Sequence, residues 1–101
     1  MFQQMCKKMS GLKVLYKIQV KGRVQGVGFR QACIREARYA GIFGFVKNMS
    51  DGSVYIEAEG NIEQLKELVN WCRRGPVFGS VKDVTVEKCD PVNHNGFMIR
   101  Y

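Results

Sequence analysis

The sequence has a single histidine, His94, and its four cysteines, Cys6, Cys33, Cys72 and Cys89, include no C-x-x-C pair. A zinc centre is therefore poorly supported, because such sites draw on cysteine and histidine at short fixed spacings. A disulfide framework is not expected either, since 101 residues at 46% hydrophobic content can bury a core without one. The opening MFQQMCKKMSG carries no apolar h-region, so no secretion signal is expected. No apolar run approaches membrane-spanning length, which argues against a membrane partner. Reduced thiols in the cytoplasm are the expectation from these absences. Nor is there an internal repeat or a low-complexity linker, and the length supports one domain.

Basic residues outnumber acidic ones, sixteen to nine, for a net charge of +7. The excess favours anionic partners, whether small phosphates, nucleic acid or an acidic surface. The basic residues form no dense tract, so a dedicated nucleic-acid arm is not expected.

The most distinctive stretch is Gly22 to Arg30, GRVQGVGFR, with glycines at 22, 26 and 28. An alternating apolar run precedes it and an amphipathic run follows it, so it reads as a turn between a strand and a helix. Glycine tolerates unusual backbone angles and lets a ligand approach closely. Converging N–H groups beside a helix start and a guanidinium suit a doubly charged phosphoryl group. A glycine-rich turn with no ligand has the same composition, and this stretch alone does not separate the two.

Residues 1–11 read as a flexible tail and 12–101 as the folded domain. Residues 12–21 alternate, with Val14, Tyr16, Ile18 and Val20 on a buried face and Lys13, Leu15, Lys17, Gln19 and Lys21 on a wet one. A helix follows from Phe29 to Ala40, its apolar stripe Phe29, Cys33, Ala37 and Ala40, and Gly41 stops it. Residues 42–48 form a second strand, Ser50-Asp51-Gly52 a hairpin turn, and 53–59 a third strand with Val54, Ile56 and Ala58 inward. Asn61 and Gln64 make a capping box for a second helix, with Ile62, Leu65, Leu68, Val69 and Cys72 inward and Gly75-Pro76 at its end. Residues 81–89 form a fourth strand with Val84 and Val86 on one side. A short last strand carries Phe97, Ile99 and Tyr101 on one side. The order β-α-β-β-α-β with a short terminal strand predicts an α+β, ferredoxin-like two-layer α/β sandwich. One-sided alternation favours a mostly antiparallel sheet covered on one face by two helices.

Two stretches closely resemble the signatures of acylphosphatases. Val20 to Arg30 fits the first at every fixed position. Gly44, Phe45, Val46, Lys47 and Asn48, with Gly52, Val54 and Gly60, fit the second with the right gaps, and Phe97 to Tyr101 looks like the family's ending. The resemblance covers about residues 12–101. It implies hydrolysis of acyl phosphates to carboxylate and inorganic phosphate, with no metal and no cofactor. Carried over by position, it implies Arg30 as the phosphate-binding arginine and Asn48 as the residue orienting the attacking water. The backbone N–H groups of Gln25, Gly26, Val27, Gly28, Phe29 and Arg30 become the phosphate cradle. The implied partner is a small-molecule acyl phosphate, with phosphate or sulfate ions expected to fit the same site and a monomer expected.

Such a reaction asks little of the protein. A carboxylate, with a pKa of about 4, leaves without being protonated, and a loose phosphoryl-transfer transition state needs little push from a base. Holding the phosphoryl oxygens and placing a water in line suffices. His94 then has no catalytic duty and is expected in an exposed loop. Cys33 and Cys72 fall on helical apolar stripes and read as core thiols, and Trp71 as a packing residue.

Two alternatives remain. One is a non-catalytic acyl- or carbamoyl-phosphate-binding domain, of the kind found in larger maturation proteins. Those append further domains, which this sequence does not show. The other is a basic RNA-binding domain of the same fold, since Phe43-Gly44-Phe45-Val46 echoes part of the aromatic octapeptide of RNA-recognition motifs. That echo is incomplete and falls on the second strand, where those motifs use the third.

Overall fold

The computed structural model describes residues 12–101; the expected tail, residues 1–11, lies outside the described residues. Five strands and two helices follow in order: β1 (Val14–Arg23), α1 (Phe29–Ala40), β2 (Phe43–Asn48), β3 (Val54–Gly60), α2 (Ile62–Arg74), β4 (Ser80–Cys89) and β5 (Phe97–Arg100). The sheet order is β4-β1-β3-β2-β5. All pairs are antiparallel except β2 with β5, which is parallel. Each helix thus connects two parallel strands that are separated by one antiparallel strand, the split β-α-β arrangement expected from the order of elements.

Both helices pack on one face. Ile18, Val20, Val46, Val54, Ile56 and Ala58 from the sheet meet Phe29, Cys33 and Ala37 of α1 and Leu65, Leu68 and Cys72 of α2 in one core. Phe29 and Trp71 join the two helices, their ring centroids 5.0 Å apart. The α2 capping box is present in both directions, with Asn61 accepting from the Gln64 amide at 2.8 Å and Gln64 accepting from the Asn61 amide at 2.9 Å.

Two expectations need correction. The first strand runs past Lys21 to Arg23, so Gly22 belongs to it and not to the loop. Its φ is +131°, and a Cβ there would lie 2.2 Å from the Ser80 carbonyl oxygen, because β4 presses against it where the β1–β4 register shifts. Glycine at this position is required by strand packing.

The outer sheet face is also not uniformly wet. Leu15, Phe45 and Glu59 are buried. The segment between β4 and β5 must cross from one edge of the sheet to the other. The Glu59 carboxylate accepts hydrogen bonds from the backbone N–H groups of Val92, Asn93 (2.8 Å) and His94 (2.6 Å), which fastens that crossing segment over the sheet. Strand alternation places residues on a face and cannot show that a distant segment covers it. His94 is consequently only 14% exposed: its Nε2 lies 2.9 Å from Glu57, and its ring stands edge-on to Phe45 at 5.5 Å.

Candidate active site

The sheet register decides what meets the glycine loop. Val54 pairs with Val20 on one side and with Asn48 on the other. Asn48 therefore sits two strands from Val20, a lateral distance of about 10 Å, at the sheet end where β1 runs into the loop. Strand β5 runs parallel to β2, with Arg100 opposite Lys47, and so delivers Tyr101 to the same end. Helix α1 begins there too. Three strand ends and one helix N-terminus converge on a cavity of about 110 Å³. It is lined by Val24, Gly26, Gly28, Phe29, Arg30, Gln31, Asn48, Ile99 and Tyr101. This is well below the volume of drug-sized pockets, roughly 300–1,000 Å³, and suits a small polar group.

Gly28 caps α1 in the left-handed conformation, with φ 82° and ψ 15°, and no side chain caps the helix. The first-turn N–H groups consequently have no partner within the helix. A Cβ on Gly26 or Gly28 would meet nothing within 4 Å, so the space in front of the loop is open. No acidic residue stands in the first turn to offset the positive end of the dipole. Arg30 adds a further positive charge at that end. It forms no ion pair with a carboxylate among the described residues, and its guanidinium packs 5.3 Å from the Tyr101 ring centroid. Asn48 lines the same cavity, and its Oδ1 is buried and accepts no hydrogen bond, the only such buried side-chain atom among the described residues. The cavity is thus lined by the start of α1, whose first-turn N–H groups lack helical partners, together with Arg30 and Asn48.

Arg30, Asn48, Gly26, Gly28 and Phe29, all candidates from the sequence, line this one cavity. The side chains of Gln25 and Val27 do not. Gln25 donates from Nε2 to the carbonyls of Met49 and Ser53, each at 2.8 Å, and Val27 packs against the core. Sequence reasoning missed Val24, Gln31, Ile99 and Tyr101 as lining residues. The sequence placed Tyr101 on the last strand, on one side with Phe97 and Ile99. It follows the end of β5 and is 98% exposed, its ring against Arg30.

The two helix thiols, Cys33 and Cys72, are buried in the core. Burial, with Cys72 and Glu36 adding to it, pushes the Cys33 thiol well above its ordinary value, and burial takes Cys72 up to about 12, so neither forms a thiolate readily. A larger groove of about 470 Å³ between the helices carries Glu36, Glu63 and Glu67 against the single Arg74, a net negative lining unsuited to a phosphate. An RNA platform on the sheet is disfavoured as well, since Phe45 lies under His94 and the Arg100 guanidinium, 4.0 Å from its centroid.

Comparison with known proteins gives a consistent picture. The acylphosphatase family model matches residues 16–99. An acylphosphatase of Thermotoga petrophila is 45% identical over 85 residues, covering 84% of this chain and 94% of its own length. The crystal structure of acylphosphatase from Bacillus subtilis superposes with a TM-score of 0.85 at 40% identity, covering 87% of this chain and 99% of that one. That of a Coxiella burnetii acylphosphatase gives 0.84 at 31% identity, with 87% and 93% covered.

Proposed function

The chain belongs to the acylphosphatase family and is a hydrolase of acyl phosphates, and from that premise we propose how its residues divide the work. Arg30 and the N–H groups from Gln25 to Arg30 hold the phosphoryl oxygens. Asn48 holds the attacking water in line with the carboxylate leaving group. The observation that supports this division is that Asn48 and Arg30 line one small cavity at the N-terminus of α1.

The guanidinium binds two oxygens with its planar fork and stays charged at any working pH. As the phosphoryl group transfers, negative charge spreads over its equatorial oxygens, towards which the α1 amides already point. No reorganisation is needed at that moment. The water loses its proton to the substrate's own phosphate, so no histidine or carboxylate pair is required. This fits the placement of His94 over the outer sheet face, tied to Glu57. The domain is residues 12–101, acting as a cytoplasmic monomer on a small-molecule acyl phosphate.

Benzoyl phosphate hydrolysis, with inorganic phosphate as competitive inhibitor, tests the division. Arg30→Ala is expected to lose both phosphate binding and turnover. Asn48→Ala is expected to keep its phosphate inhibition constant while kcat falls on the order of a hundredfold or more, as when one preorganised donor is removed. Weakened phosphate binding in the Asn48 variant would contradict the assignment.

A further inference from the structure

Asn48 is the last residue of β2, so the backbone beyond it helps set where the residue sits. That backbone continues into a tight turn. Met49 N–H donates to the Ser53 carbonyl at 2.8 Å, and Gly52 N–H donates to the Met49 carbonyl at 3.2 Å. Ser53 Oγ donates to Asp51 Oδ1 at 2.6 Å and accepts from Gln19 at 3.2 Å. These hydrogen bonds brace the turn internally. Its link to the phosphate cradle is the Gln25 side chain, whose single NH2 group donates to the carbonyls of Met49 and Ser53, the two residues that close the turn. Both amide hydrogens are used, and both acceptors lie within one residue of Asn48 or of its strand partner Val54.

We infer that the Gln25 side chain is a positioning residue for hydrolysis: it clamps the β2–β3 turn to the phosphate cradle and so sets the distance between the water-holding Asn48 and the phosphoryl group. The inference rests on the roles given above to Arg30 and Asn48. Gln25 lies at the start of the cradle in sequence, but its side chain points away from the cavity and acts only through the turn. Loosening the clamp leaves the cradle's donors in place and displaces the water holder. Binding is then preserved and turnover falls, because an error of about 1 Å in the position of a reacting group costs on the order of a hundredfold.

The test is a double-mutant cycle between Gln25 and Asn48, with benzoyl phosphate as substrate and inorganic phosphate as inhibitor. Gln25→Met keeps the side chain's length and bulk and removes both donors, which guards against collapse of the turn; Gln25→Ala is the second variant. Each is expected to lower kcat by about ten- to a hundredfold with the phosphate inhibition constant within about twofold of wild type. In an Asn48→Ala background the same substitutions should change kcat by less than about twofold, since coupled residues are non-additive. Equal losses in both backgrounds, or unchanged kcat in the Gln25 variants, overturn the clamp while leaving Asn48's role intact. If Asn48→Ala alone retains full turnover, the water-holding role falls and the clamp falls with it.

Discussion

Arg30 occupies the first turn of α1, where its charge opposes the helix dipole and no acidic neighbour relieves it. A side chain kept at such a cost, with a ring as its partner among the described residues, fits the proposed binding of an anion between the guanidinium and the amides. Arg30→Lys should therefore behave much like Arg30→Ala in phosphate inhibition, because an ammonium cannot bind two oxygens in a plane. Recovery of wild-type inhibition by lysine would show that charge alone matters. Gly28 holds the left-handed angle that turns the loop into the helix. Gly28→Ala meets no atom within 4 Å, so its expected cost is conformational, about 1 kcal/mol in chemical denaturation. Residues of this kind were legible in the sequence because their types are tied to local chemistry. Tyr101 and the Gln25 side chain were not, since their partners lie across the fold: Tyr101 meets Arg30, and Gln25 reaches the turn after β2.

The helices were legible to the residue at their caps, because capping is local: Asn61 with Gln64, and Gly41 after Ala40. The segment from β4 to β5 was not. Its hold on the sheet is the Glu59 carboxylate, and nothing in the alternation of β3 marks that glutamate as different from Glu57. Burial alone would raise the Glu59 pKa, but the three amides it accepts from hold it below the usual range. A depressed folded-state pKa stabilises the protein above the unfolded value, about 4.3, and that contribution is lost as the pH falls through the folded-state pKa. Thermal denaturation below about pH 4 should accordingly show a falling Tm in the wild type. Glu59→Gln, which offers a single acceptor to three donors, should be less stable at pH 7 by on the order of 1–3 kcal/mol and should show a weaker acid dependence. An identical acid profile in the variant would place the acid-sensitive group elsewhere.

Topology brings these parts together. Two split β-α-β units put the ends of β1 and β2 on either side of β3, at the end of the sheet where parallel β5 also finishes. No single motif in the sequence fixes that meeting. It follows from strand order; the element order made the two-layer fold legible, while which strands are neighbours was left open. The net charge of +7 acts over the whole surface, so kcat/KM for benzoyl phosphate should fall as salt rises and the field is screened. On the proposed division of roles, fixed amides, one guanidinium and one carboxamide cleave an already labile anhydride by themselves. Benzoyl phosphate turnover in the presence of a large excess of chelator measures this directly. The rate should be unchanged by chelation and should vanish in Arg30→Ala; a wild-type rate abolished by the chelator and restored by added metal would contradict it.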